Sequence, residues 1–414
     1  MFAKIKAATS ACLLFATITS ASASDMPILD AVEANGAAQL QLLEATVNQN
    51  SGTLNVEGVR KVGEIYRREL EDIGFTVRWI DMPQSMARGG HLVAERDFGA
   101  GPDLLLIGHL DTVFEPDSPF QRFERDGDKV RGPGVVDMKG GNAVVIYAIR
   151  ALIEAEAIKG GKVTIFFTGD EESAGAPLVK AREDLIAAGK AADYALNFEG
   201  GSAEWAVIGR RGSSKWKLTV TGKRAHSSGI FSDDSGAGAA FEMARILNRF
   251  YGEVRGPFGL TFNPGMVAAG SAIAPVGSAG AVTVSGKDNV IAETAIASGG
   301  LRFMNDAQLR AAEALMQGIV EDSLPLTQAT ITFQDRYPAM ELTEENEALL
   351  DRLNAVHARL GLEPAQSFPP EGRGAADISF VAPYVASMDG LGVAGTGSHT
   401  VEEEMDLGSL QQAT

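Results

Sequence analysis

The sequence predicts an α/β protein, a mostly parallel sheet flanked by helices and interrupted by an inserted α+β domain. Three observations carry that expectation. Short, nearly continuous apolar runs such as "DLLLIGHL" (103–110) and "KVTIFFTGD" (162–170) have the composition of strands covered on both faces. These runs alternate with stretches of helical period, the pattern of βαβ units. Near Gly212 the pattern changes to "SKWKLTVTGKRAH", where polar and apolar residues alternate as in a sheet with one solvated face.

The elements follow in chain order. Lys4 and Lys6 precede an apolar stretch (7–18), and Ala21-Ser22-Ala23 supplies the small residues a signal peptidase reads, so residues 1–23 are expected to be an export signal. That makes the mature chain periplasmic or secreted. Between Ala31 and Gly74 apolar residues such as Leu42, Leu43, Val47, Val59, Val62 and Leu70 recur at helical spacing. "FTVRWIDM" (75–82) and "GGHLVAERD" (89–97) read as strands. A covered strand (103–110), a helix (140–157), a second covered strand (162–170), a helix (177–189) and a strand (193–201) follow.

Beyond Gly212 a helix (236–251), extended pieces to Met304, a helix (306–324) and a strand (329–337) complete the inserted domain, placed at 213–330 within a main domain of 24–212 and 331–414. The stretch 270–287 is rich in Gly, Ala and Ser and reads as a loop or irregular hairpin. From Leu342 a helix runs through Leu360, with apolar strands expected around Val385 and Val393.

Composition excludes several partners. The 414 residues carry a net charge of −18, which argues against nucleic acid and anionic membrane surfaces. An anionic substrate would need locally placed arginines. No later segment is long and apolar enough to span a bilayer. Cys12, inside the expected export signal, is the one cysteine, so the mature chain must rely on its core, on metal or on assembly.

In parallel α/β sheets functional groups gather at the carboxyl edge. Here His109 and Asp111, Glu171 and Glu172, and Glu199 each follow an apolar strand. Asp137 sits in the glycine-rich turn "GPGVVDMKGGNA", and His399 emerges from "GTGSHTVEEEMD". A single strand-end His or Glu is commonly a structural residue, but recurrence at so many strand ends points to one centre. Imidazole and carboxylate without thiolate suit one or two Zn²⁺ ions, with Co²⁺ or Mn²⁺ as alternatives.

Seven motifs, "GHLDTV", "GPGVVDMKGG", "TGDEES", "NFEGG", "GKRAHSSG", "GRGAAD" and "GSHT", come in the order and approximate spacing of a known enzyme family. The chain resembles the zinc-dependent peptidases and deacylases that include carboxypeptidase G, aminoacylase, acetylornithine deacetylase and succinyl-diaminopimelate desuccinylase. Its nearest likeness is to the exported glutamate carboxypeptidase branch. The resemblance implies a zinc-peptidase catalytic domain with an inserted ferredoxin-like dimerisation and lid domain, a homodimer, and a small peptide or N-acyl amino acid substrate. It further implies two metal ions per subunit bridged by Asp137, one also held by His109 and Glu199, the other by Glu172 and His399. Asp111 would orient His109, Glu171 would be the general base, and His226 would reach the other subunit's site to stabilise the oxyanion. Arg302, Asn289 and the turn containing Gly374 would meet substrate; apart from the resemblance, Arg210, Arg211, Arg336 and Arg373 are further candidate cations.

Departures from the family pattern stand beside these expectations. Arg373 occupies a position where many relatives have glycine, Ala292 one where proline is common, and the segment 270–287 is longer than usual. Relatives continue through a final helix beyond "DLGSLQQAT". An N-acyl amino acid deacylase on the same centre and a catalytically silent periplasmic binding protein are the alternative functions.

Overall fold

The computed structural model describes residues 25–276 and 281–414; the expected export signal lies outside them. Its main sheet has six strands in the order Thr76–Ile80, His91–Asp97, Lys162–Thr168, Leu104–His109, Tyr194–Asn197 and Ala386–Met388. The last four are mutually parallel, and the first two attach antiparallel at one edge. The edge departs from parallel because only the short connector 81–90 joins its two strands, too little chain for a parallel crossover.

Alternation explains the apolar runs. Leu106, Ile165 and Phe167 face one core, shared with Leu43 and Val47 of helix Met26–Val47, Val59 and Val62 of Val56–Asp72, and Val145 of Lys139–Glu154. Leu105, Ile107 and Phe166 face the opposite core with Leu185 of helix Leu178–Ala191 and Ile378 and Val381. A strand with apolar neighbours on both faces has no polar position to spare. Helix Lys139–Glu154 begins tight against the sheet, where a Cβ on Gly141 would stand 1.9 Å from the Phe198 carbonyl oxygen. Its first residue, Lys139, is fully buried and donates from Nζ to the carbonyls of Thr46 (2.9 Å) and Gln49 (3.1 Å). A cation thus meets carbonyls left free at the end of helix Met26–Val47.

The chain from Gly212 to Asp335 builds a second, wholly antiparallel sheet in the order Thr261–Gly270, Thr294–Phe303, Gly212–Gly222, Thr327–Asp335. Helices Gly238–Arg249 and Asp306–Glu321 complete a βαββαβ arrangement of the ferredoxin-like kind. Trp216, Leu218 and Val220 point inward against Met243, Ile246, Leu309 and Met316, while Lys215 and Lys217 are exposed. The segment 270–287 contains a regular hairpin, Ala272–Val276 against Ala281–Ser285.

Two expectations need correction. Val393 lies outside any strand, although it is fully buried in the first core. Its apolar surroundings come from loop packing, which periodicity does not distinguish from a strand. The chain's last residues form the helix Leu407–Ala413, with Leu410 in the core. Among the described residues no helix is long and apolar enough to cross a membrane.

A buried ion network ties the sheet edge to the C-terminal segment. Arg182 is fully buried and bonds Asp170 Oδ1 at 2.6 Å and Asp377 Oδ1 at 2.7 Å. Thr168 Oγ1 donates to the other Asp377 oxygen at 2.5 Å. Removing one partner of such a network strands the remaining charges away from water. Arg182→Ala should therefore lower unfolding stability by about 3–5 kcal/mol, read from the urea midpoint. A loss below about 1 kcal/mol would contradict this.

Candidate metal centre

Each strand that enters the centre ends at the same edge. His109 closes Leu104–His109 and pairs in register with Thr168, whose strand leads into Glu171 and Glu172. Glu199 follows Tyr194–Asn197 on the other side of Leu104–His109. Asp137 lies in the turn two residues before the start of helix Lys139–Glu154. His399 lies in the turn between Gly395–Thr396 and Glu404–Asp406, with φ 66°.

These side chains converge. His109 Nε2 lies 3.1 Å from Asp137 Oδ1 and 3.5 Å from Glu199 Oε1. His399 Nε2 lies 3.1 Å from Asp137 Oδ2 and 3.0 Å from Glu172 Oε2. Each oxygen of Asp137 thus faces its own histidine, and each histidine its own glutamate, an arrangement compatible with a bridging carboxylate; ligand atoms of His109, Asp137 and Glu172 also all lie within 4.8 Å of one another. Ligand atoms held about 2.0–2.1 Å from a tetrahedral ion stand about 3.3 Å apart, so the spacing suits coordination. Glu172 Oε1 is buried and has no hydrogen-bond partner, an orphaned anionic donor that a cation would satisfy.

The electrostatics point the same way. Burial pushes Glu172 up to about 7 and raises Glu199 as well. Burial opposes ionisation of Asp137, yet His109 and His399 together hold its carboxyl far below the usual range. Asp137 and Glu172 hold the His399 imidazole up, to about 11. Crowded carboxylates draw protons when no other cation balances them, and metal ions would take the protons' place.

Surrounding groups fix the ligands. His109 Nδ1–H donates to the Asp111 carbonyl at 3.0 Å, the tautomer that leaves Nε2 free for a cation. The Asp111 carboxylate is 3.4 Å from the same ring nitrogen and accepts from Glu171 N (3.0 Å), Glu172 N (3.2 Å) and Thr53 Oγ1 (2.6 Å). Asp111 therefore holds both the imidazole and the turn carrying the two glutamates. Tyr337 Oη donates to the Glu171 carbonyl at 2.8 Å. Burial, followed by the nearby charge of Asp377, raises the Glu171 carboxyl well above its ordinary value.

A cavity of about 380 Å³ opens beside the cluster, lined by Asp137, Glu171, Glu199, Arg373, Gly374 and His399 among others. The remaining expected site residues lie elsewhere in the single chain. His226 is exposed, bonds Ser228 Oγ at 2.8 Å and sits beside Asn289, whose carbonyl accepts from Ser227 N. Arg302 is on the second sheet opposite Ser213 and Thr261; burial, with the like charges of Arg211 and Arg336, lowers its pKa.

Residues 105–414 match the model of peptidase family M20/M25/M40. The chain belongs to this family. As a member it is a hydrolase of the metallopeptidase and amidohydrolase type. Carboxypeptidase G2 of Pseudomonas sp. (strain RS-16) is 27% identical over 386 residues, 90% of this chain and 86% of that protein. A succinyl-diaminopimelate desuccinylase of Gluconacetobacter diazotrophicus is 27% identical over 358 residues, 83% of this chain and 87% of that protein. Solved structures share the fold. Aminopeptidase PepT from Bacillus cereus superposes with TM-score 0.70 at 17% identity, covering 92% of this chain and 96% of that one. The Bacillus subtilis YXEP protein, described as a dinuclear metal-binding M20 peptidase, gives 0.62 at 17%, covering 92% and 95%.

Sequence reasoning missed three residues that support this centre, Thr53, Tyr337 and Glu403. Glu403 is fully buried and accepts from the backbone N–H groups of Gly134 (3.1 Å), Val136 (2.8 Å) and Asp137 (3.0 Å). It sits in the acidic run Glu402–Glu404, between an exposed and a partly exposed glutamate, and no local signal separates it from them. Glu403→Gln exposes those three N–H groups to an amide able to accept through one oxygen only. Metal affinity should fall about 10- to 100-fold, measured by chelator competition, because the Asp137 loop loses its anchor. Unchanged affinity would remove Glu403 from the centre.

Proposed function

We propose that the protein is a two-zinc amidohydrolase that releases a C-terminal or N-acylated amino acid, with glutamate-type carboxypeptidase activity favoured. Co²⁺ or Mn²⁺ would fit the same donors. The observation that carries the reading is the arrangement around Asp137, one histidine at each carboxylate oxygen and one glutamate beside each histidine. His109, Glu199, Glu172 and His399 would hold the two ions with Asp137 between them.

Bound cations there would supply Lewis acidity and bring the pKa of water towards ~7. Glu171 lines the cavity beside the cluster, where its carboxylate would take a proton from the attacking water. The same residue would return that proton to the leaving amine. A raised pKa suits both halves of this task, since the protonated form must be accessible after the first transfer. Asp111 and Tyr337 keep Glu171 aimed by holding its backbone on either side.

The second sheet is read as a dimerisation and lid domain inserted in the catalytic domain; its strand Thr327–Asp335 carries it past the expected boundary at 330. The exposed edge strand Thr261–Gly270 favours pairing with a second copy. In that homodimer His226 and Asn289 would serve the partner's site, and Arg302 would meet the substrate carboxylate. The export reading of residues 1–23 places the enzyme in the periplasm or outside the cell. An N-acyl amino acid deacylase is the second reading, favoured by the desuccinylase relative, whose identity equals that of the carboxypeptidase.

Glu171→Gln should reduce kcat by about 10³-fold or more while metal content stays unchanged, measured on acyl-glutamate, dipeptide and acetyl-amino-acid substrates. Metal-loaded wild type that hydrolyses none of these substrates would support a silent binding protein instead.

A further inference from the structure

The cavity beside the metal centre contains two arginines in different electrostatic states. Arg210 has a counter-charge: its Nε lies 2.6 Å from Asp389 Oδ2, both side chains are buried, and Nη1 donates to the Gly374 carbonyl at 2.9 Å, although neither Nε nor the buried Nη2 makes a hydrogen bond. Arg373 has no such partner. No carboxylate among the described residues forms an ion pair with it, and its buried Nε has no hydrogen-bond acceptor. Its guanidinium is nonetheless held in place. Nη2 donates to the Gly200 carbonyl at 2.8 Å, and the group stacks 4.9 Å from the Phe368 ring centroid, itself packed edge-on against Trp205.

A fixed cation with free donor capacity, in a cavity shared with Asp137, Glu171, Glu199 and His399, is arranged to receive an anion. Of the carboxylates whose charge reaches it, Glu199 and Asp137 are assigned to metal and Asp389 is paired with Arg210, so a loaded centre leaves its charge available. Gly374 leaves the adjacent turn open, with no atom within 4 Å of where a Cβ would stand. Burial and then the charge of Arg210 disfavour the guanidinium's positive form, outweighing the opposing charges of Asp389, Glu199 and Asp137, and a bound carboxylate would relieve that penalty.

We propose that Arg373 is a specificity-determining residue that binds a second carboxylate of the substrate, in the part lying along the 372–376 turn. Preferred substrates thus carry an acidic group besides the one expected at Arg302. This rests on the amidohydrolase reading and narrows its substrate class. The carboxylate can belong to the leaving amino acid or to the acyl group, and the two sources are separable with isosteric pairs.

Kinetics on the metal-loaded full chain would compare N-acetylglutamate with N-acetylglutamine for the leaving group, and N-succinylalanine with N-succinamoylalanine for the acyl group. At least one acidic member should exceed its amide partner roughly tenfold or more in kcat/KM, mainly through KM. Arg373→Gln should collapse that ratio towards unity, and Arg373→Lys should keep part of it. Calorimetric binding of glutarate against its monoamide gives a readout independent of turnover, and as a ratio within one variant it is insensitive to any misfolded fraction. A glutarate preference lost in Arg373→Gln supports the assignment even if no panel substrate is hydrolysed, an outcome that would count against the hydrolase reading alone. Ratios unchanged by Arg373→Gln in kinetics and calorimetry alike, or no acidic preference in the wild type, would overturn it.

Discussion

The structure depends on one constraint, the gathering of negative charge at the carboxyl edge of the main sheet. Asp137, Glu171, Glu172 and Glu199 share a small volume with two imidazoles, in surroundings that exclude much of the water. Like charges at this spacing either take up protons or are balanced by cations. Family membership in the metallopeptidases and the orphaned Glu172 oxygen both favour cations. The rest of the fold can be understood as what holds mutually repelling groups in register.

That support is layered. Parallel strands covered on both faces deliver His109, the Glu171–Glu172 turn and Glu199 at fixed mutual offsets. Asp111 links the first two of these through its carbonyl and its carboxylate. Glu403 anchors the loop of Asp137 from a segment 266 residues away in sequence. Arg182 draws Asp170 and Asp377 together behind the site, tying the turn that bears Glu171 to the turn that borders the cavity. Burying these polar groups contributes positional accuracy more than net stability.

Much of this was legible in the sequence. The covered strands announced themselves because both faces are apolar, and His109, the Glu171–Glu172 pair and Glu199 because each follows such a strand. The change of alternation near Gly212 marked the second sheet, whose inward residues Trp216, Leu218 and Val220 keep strict period two. What stayed hidden depends on distant partners. Arg182 reads locally as one charge on an amphipathic helix, yet it is buried because Asp377 arrives from 195 residues on. Glu403 is masked in the same way by its acidic neighbours. Val393 showed the converse, an apolar residue buried without being in a strand.

The central claim is that Asp137 bridges two cations, one toward His109 and Glu199 and one toward His399 and Glu172. Anomalous diffraction from crystals grown with zinc tests it most directly. The account predicts two peaks, each within coordinating distance of a different Asp137 oxygen. A single peak, or two peaks that do not share Asp137, would contradict it.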